Sequence, residues 1–300
     1  MQVYDIIKKI FLSEQLLRLM QITTYRIDSK LNRSCRIALA ADTHDKPVDR
    51  LFRELEALKP DLILIPGDIV FRRKKGMKTF TYDPDIPMLL RFPNGDRLVH
   101  EAPLIAPTFF SYGNHEWMLN IADEERMADA GVKLLDNAWT KFGEFVIGGL
   151  SSPDVTNYRT FQNEWRRAHP DDPRGNLREE FFKTVDEAIR VSVDAEWLNG
   201  FEAQDGYKIL LCHHPEYWAI REPRLAGHPI DLVVAGHAHG GQIRIAGKGL
   251  LSPGQGVLPK YTSGVHHGEH GEMVISRGLA NHVPVPRLFN PRELVVLELG

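Results

Sequence analysis

Two histidines one residue apart, His237 and His239, stand in the run Gly236-His237-Ala238-His239-Gly240-Gly241-Gln242. Neutral imidazole is a common ligand for borderline transition metals near pH 7. Alone, the pair fits an ordinary surface loop as well as a metal site. Upstream, however, the same kinds of residue recur in the same setting. Asp42-Thr43-His44, Gly67-Asp68, Gly113-Asn114-His115-Glu116 and His213-His214-Pro215 each follow a short apolar run. Carboxylate, amide and imidazole groups gathered in this way are the donors of a metal site with mixed oxygen and nitrogen ligation.

The elements that must position these donors are the apolar runs themselves. Residues 36–41, 61–66, 107–112, 208–212 and 230–235 read as short buried strands, bounded by glycine, proline or polar residues. Sites in α/β sheets are built at the C-terminal ends of strands. Five strand ends loaded with ligand-type residues are far more specific than any one of them. Between the first two, Pro47 opens a predicted helix that carries Val48, Leu51, Leu55 and Leu58 on one face, and Lys59-Pro60 ends it. Such a strand–helix–strand unit is right-handed with parallel strands, so the loops of Asp42 and Asp68 emerge on one sheet edge.

In this order, Asp-x-His, Gly-Asp, Gly-Asn-His, a His after an apolar strand, and Gly-His-x-His resemble the calcineurin-like metallophosphoesterases. Residues 236–242 are similar to the bacterial branch with Gly-His-Thr-His-Gly-Gly-Gln. Further matches to that branch are Pro259-Lys260-Tyr261, Ser276-Arg277-Gly278-Leu279 and Pro286-Arg287-Leu288-Phe289. The likeness covers residues 22–300 and is weakest over 72–103 and 154–205. Ala238 stands where the branch has Thr, a position that is not a ligand. Glu116 stands where it has Asp, which is expected to support His115.

The resemblance implies an α/β fold of two mixed β-sheets packed as a sandwich flanked by helices, in four layers. It implies two transition-metal ions, one held by Asp42, His44, Asp68 and His239, the other by Asp68, Asn114, His213 and His237, with Asp68 bridging. His213 is preferred to His214 because it follows its strand directly. Oxygen and nitrogen donors without thiolate suit Mn, Fe or Zn, with Mn first. The implied reaction is hydrolysis of a small anionic phosphoester or pyrophosphate by water activated between the metals, with His115 as proton donor to the leaving oxygen. The alternative is a protein that keeps the fold for binding or scaffolding without catalysis.

Composition agrees with a folded chain: 43% of the 300 residues are hydrophobic and 26% charged. A net charge of -3 gives no global basic field for nucleic acid. Cys35 and Cys212 abut apolar strands and read as reduced core residues, which suits a cytoplasmic setting. Residues 1–21 read as an amphipathic helix preceding one domain over 22–300; Val3, Ile6, Ile7 and Ile10 share a face. It is too short and too charged to span a bilayer. It suits packing on the domain or a partner subunit, or peripheral membrane contact through Lys8, Lys9 and Arg18.

The remaining stretches carry weaker signals. Residues 72–103 read as an insert without clear periodicity, and Arg72-Arg73-Lys74-Lys75 as a solvated loop or a basic rim for an anionic substrate. Residues 154–205 read as a second, polar insert with helix near 177–190 and 194–199, either a wall to the site or a spacer. His266-His267-Gly268-Glu269-His270 reads as a solvated hairpin loop. Gly241 and Gly247-Lys248 do not have phosphate-loop spacing.

Overall fold

The computed structural model describes residues 20–29, 31–71, 86–169, 177–281 and 286–300. The first sheet is built from β1 (Met20–Ile27), β2 (Cys35–Leu39), β3 (Leu62–Ile65), β4 (Thr108–Phe110), β5 (Val132–Leu134) and, from the far end of the chain, β16 (Arg292–Leu299). Its order is β1-β16-β2-β3-β4-β5. Strands β2 to β5 run parallel, whereas β16 is antiparallel to β2 and parallel to β1. The second sheet contains β6 (Ala138–Phe142), β7 (Phe145–Leu150), β8 (Tyr207–Cys212), β9 (Leu232–Ala235), β14 (Gly264–His267) and β15 (Glu272–Ile275). Its order is β14-β15-β9-β8-β7-β6, with β7, β8, β9 and β15 parallel and the two edge strands antiparallel.

The two sheets pack face to face, and side-chain alternation explains why their strands read as unbroken apolar runs. Ile37, Leu39, Leu62, Leu64 and Phe109 of the first sheet meet Ile147, Ile209, Leu211, Leu232, Val234 and Val274 of the second. The intervening residues Ala38, Ile63, Ile65 and Phe110 point the other way and are covered by helices α1 (Asp49–Leu58), α2 (Pro93–Ile105) and α3 (Ile121–Asp129). With both faces buried, nothing favours polar residues at alternate positions. On the outer face of the second sheet, Val146, Leu210, Val233 and Met273 pack with Leu198, Phe201, Tyr217 and Trp218. The expected sandwich of mixed sheets with helices outside is the observed architecture.

Local signals set the helix limits. The first helix begins at Asp49 rather than at Pro47, and it ends where Lys59 takes a left-handed conformation before Pro60. The third is held by a reciprocal cap, in which Asn120 and Asp123 each accept the other's backbone N–H.

Several expectations are corrected. Met20 and Gln21, assigned to the N-terminal helix, open β1; residues 1–19 lie outside the described residues. Residues 93–103 of the stretch read as an irregular insert belong to α2, whose pattern is blurred by Gly95 and Pro103. Arg72 to Lys75 also lie outside the described residues. The second insert contains an unexpected long helix, α4 (Pro153–Ala168), which packs through Tyr158 on Leu177 and Phe181 of α5 (Leu177–Thr184). Its apolar positions are few and aromatic, so periodicity was weak. His266 and His267 stand on β14, not in the loop that follows it. Among the described residues, no helix is long and apolar enough to cross a membrane.

Candidate metal centre

The loops after β2, β3 and β4 meet those after β8 and β9 at one end of the sandwich, bringing together Asp42, His44, Asp68, Asn114, His115, His213, His237 and His239. His237 N donates to Asp42 Oδ1 (3.1 Å), and His213 Nδ1 lies 2.7 Å from Pro66 O, so each contact ties one sheet to the other. The fit needs residues without a Cβ. A Cβ on Gly113 would stand 2.3 Å from Asp68 Oδ1, and one on Gly236 would stand 2.6 Å from Asp42 Oδ2. Asp42, His44, Asp68, His237 and His239 all have φ between 45° and 64°. For residues other than glycine this left-handed region is costly, and such strain persists only where the surroundings enforce it. Here Asp42 N donates to Gly67 O and His44 N to Asp68 O.

One group of donors comprises Asp42, His44 and His239, all buried. His44 Nε2 and His239 Nε2 are 3.3 Å apart, and both lie near Asp42 Oδ1, at 3.9 and 3.7 Å. Ligand atoms that share an ion at about 2.0–2.2 Å lie about 3 Å from one another, so this spacing fits a cation. A second group comprises Asp68, His213 and His237, with His213 Nε2 3.2 Å from Asp68 Oδ2. Asn114 Oδ1 joins it, 2.8 Å from His237 Nδ1. Asp68 Oδ2 is also 3.8 Å from His44 Nε2. One carboxylate oxygen therefore faces both groups.

Hydrogen bonds orient two of the rings. His44 Nδ1 is 3.1 Å from Val70 O, and His213 Nδ1 faces Pro66 O. A carbonyl only accepts, so each Nδ1 carries a proton, and Nε2 is the atom left to face the cluster and to take a cation once its own proton is displaced. Electrostatics match. Burial pushes the Asp42 carboxyl up to about 7, only partly offset by His213. Burial alone would also raise Asp68, but His213, then His115 and His44, outweigh it and hold Asp68 well below the usual carboxylate range. In turn Asp68 overcomes the burial of His213 and pushes that imidazole up to about 10. A cation entering such a cluster displaces protons and relieves buried charge. The residues present fit a metal centre.

His115 closes the group from the side. Its N–H donates to Asp68 Oδ1 (2.9 Å), its Nε2 is 3.8 Å from Asp68 Oδ2, and its ring meets that of His44 edge-on at 4.7 Å. Its side chain keeps 8% of its surface exposed, whereas those of His44, His213 and Asp68 keep at most 1%. His214 belongs to a further buried group of donors with Glu216 and His237; its Nε2 is 2.9 Å from Ser152 Oγ, and its ring lies 4.1 Å from that of His237.

Glu116 has a different task from the expected support of His115. Fully buried, it accepts the N–H groups of Asp68, Ile69 and Gly113, each at 2.8 Å, and of Val70 at 3.3 Å. It thereby clamps the loop after β3 to the loop after β4. Replacing Glu116 by Ala would leave these buried donors without an acceptor, each costing about 1–3 kcal/mol. Glu116→Ala should therefore lose about 3 kcal/mol or more in urea unfolding of the metal-free protein. A loss below about 1 kcal/mol would show that the clamp contributes little.

Sequence reasoning also missed the support of the His237–His239 loop. Asn290 Nδ2 donates to His239 O (2.7 Å) and Gln242 O (3.0 Å). Buried Arg287 donates to Asn290 O and to the carbonyls of Gly278 and Ala280. Both residues lie in or beside the tail matches, but the match alone gave no hint that they hold a loop some fifty positions upstream.

A family model described as calcineurin-like phosphoesterase matches residues 35–241. A Campylobacter jejuni protein described as an uncharacterized metallophosphoesterase is 26% identical over 282 residues; the match covers 93% of this chain and 61% of that protein's length. An Aquifex aeolicus protein of the same description is 25% identical over 294 residues, covering 93% of this chain and 92% of that protein. Among solved structures, a dimetal phosphatase from Danio rerio aligns with a TM-score of 0.41 at 10% identity, covering 81% of this chain and 87% of that one.

Proposed function

Because the chain belongs to the calcineurin-like phosphoesterases, we propose that it is a dinuclear metal-dependent hydrolase of phosphoester or pyrophosphate bonds in small anionic substrates. The observation that carries this reading is the position of Asp68 Oδ2, within 3.8 Å of both His44 Nε2 and His115 Nε2 and 3.2 Å of His213 Nε2. Asp42, His44, Asp68 and His239 would hold one ion; Asp68, Asn114, His213 and His237 would hold the other. Bound there, two ions neutralise charge on phosphoryl oxygens and lower the pKa of water. Oxygen and imidazole donors without thiolate favour Mn, Fe or Zn.

The chain's own residues supply the rest. Val70 O and Pro66 O fix the tautomers of His44 and His213. Glu116 and Asn290 hold the ligand loops in place. His115, beside Asp68 but outside the two proposed ligand sets, is the group that can hand a proton to a leaving oxygen, a contribution of about 10²–10⁴-fold.

The test compares chelator-stripped and Mn-reloaded protein on bis-p-nitrophenyl phosphate, p-nitrophenyl phosphate and a nucleotide-sugar pyrophosphate. Turnover should require reloading and reach its maximum at two ions per chain by elemental analysis. Undiminished turnover after stripping would refute metal dependence. Full loading without turnover on any of the three would favour a binding protein.

A further inference from the structure

Beyond the metal loop the chain makes an excursion that the proposed chemistry does not use. Strands β10 (Arg244–Ile245) and β11 (Lys248–Gly249) form one small hairpin, and β12 (Leu251–Ser252) and β13 (Gly256–Val257) form another. Both are anchored to the centre. Leu250 N donates to Gly241 O at 3.0 Å, and Gly241 lies so close to Gly249 that a Cβ would stand 2.4 Å from the latter's Cα. On the other side, Gly254 packs on the carboxylate of Glu216, which lies 3.7 Å from His214. Leu288 and Phe289 run beside the first hairpin: Arg244 N donates to Leu288 O, and Phe289 lines a shallow hollow with Ile245.

The tips of this excursion carry side chains that water does not favour. Ile245 is 60% exposed, Val257 72%, Leu258 74% and Phe289 76%; Leu251 sits opposite Val257 across the second hairpin. Ile245 with Phe289, and Leu251 with Val257, are thus apolar groups exposed on or beside adjoining hairpins, and exposed apolar surface of this kind marks an interaction site. Charge then narrows the occupant. Between Asp231 and Glu269 the sequence contains no acidic residue, whereas Arg244, Lys248 and Lys260 fall within it, and both lysines are exposed. A second copy docked through the same patch about a two-fold axis would set Lys248 and Lys260 against cations of their own kind, and the stretch 232–268 itself supplies no carboxylate to pair them. A surface of anionic headgroups over apolar chains complements both features.

We propose that the tips of residues 244–258, with Phe289, dock on an anionic lipid bilayer, and that the phosphoester cleaved is carried by a lipid of that surface. The second half of this statement rests on the phosphoesterase reading above. Hairpins tied to Gly241 and packed on Glu216 would hold the mouth of the centre at headgroup depth.

The experiment uses the full metal-loaded chain, sedimented with phosphatidylcholine vesicles with and without phosphatidylglycerol. Binding should require the anionic lipid and weaken with salt. The double variant Val257→Asp, Leu258→Asp should bind about tenfold more weakly or worse, and Lys248→Glu, Lys260→Glu should also bind several-fold more weakly. Turnover of soluble bis-p-nitrophenyl phosphate should be unchanged in both. Hydrolysis of phosphatidic acid and of phosphatidylglycerol embedded in the vesicles is followed as well, and at least one should fall in step with binding. Equal binding to both vesicle types, or full binding by the aspartate variant, overturns the proposal. So does a fall in oligomeric state or in Tm without loss of vesicle binding, since a second copy or residues 1–19 would then be the cover. Vesicle binding with turnover of the soluble ester but of neither lipid overturns the substrate assignment alone. Vesicle binding with turnover of nothing overturns the phosphoesterase reading, and the lipid-substrate assignment with it, and leaves the docking surface standing.

Discussion

Asp68→Asn should remove metal from both halves of the centre and lower kcat/KM by about 10³-fold or more. The substitution keeps the shape of the side chain and the acceptor for His115 N, so the loop is not expected to collapse. What it removes is the charge facing both donor groups, and it can turn an amide N–H toward the His213 and His44 nitrogens that a cation would otherwise share. The stabilisation that bridged ions give a phosphoryl transition state amounts to several kcal/mol, and each 1.36 kcal/mol is about tenfold in rate. Elemental analysis and single-turnover kinetics check the two parts separately. Two ions per chain with activity within about tenfold of the parent would exclude Asp68 as the bridge.

His115→Ala should do the reverse. Metal content should stay near the parent value while kcat falls by about 10²–10⁴-fold on alkyl phosphoesters. The deficit should shrink on p-nitrophenyl esters, whose leaving group departs without a proton. This dependence separates proton donation from general damage to the site, which would lower activity on every ester alike. If the variant loses its metals instead, His115 is a ligand or a prop for Asp68, a role that its 3.8 Å approach to Asp68 Oδ2 makes sterically accessible.

How much of this could be read in advance depended on the range of each interaction. The five loops that carry the candidate ligands were legible because an apolar run ending in Gly, Asp, Asn or His leaves a local signature, whatever lies around it. The layered fold followed partly from those runs and partly from the family resemblance. The task of Glu116 was not legible, since its partners are backbone amides of residues 68–70 and 113, and a backbone amide leaves no trace in sequence. For the same reason Asn290 could not be assigned to the carbonyls of His239 and Gln242. His214 and Ser152, 62 residues apart, form a contact that only the packing of two parallel strands creates. Helices α2 and α4 were missed because Gly95 and Pro103 interrupt one pattern and polar residues dilute the other.

The place of β16 between β1 and β2 has a consequence for the order in which this molecule can be made. Those two neighbours are separated by only a short turn, yet they are not paired to each other; the strand that joins them, Arg292–Leu299, lies far downstream of β2 in the chain and is the last of the strands described. Until it arrives, β1 and β2 each carry an open edge of unpaired amides and carbonyls, the kind of edge that invites non-native pairing. Arg287 and Asn290, which brace the His237–His239 loop, emerge just ahead of that strand. The first sheet and the braced His237–His239 loop are therefore completed together, and a nascent chain that has not yet released residues 287–299 can finish neither.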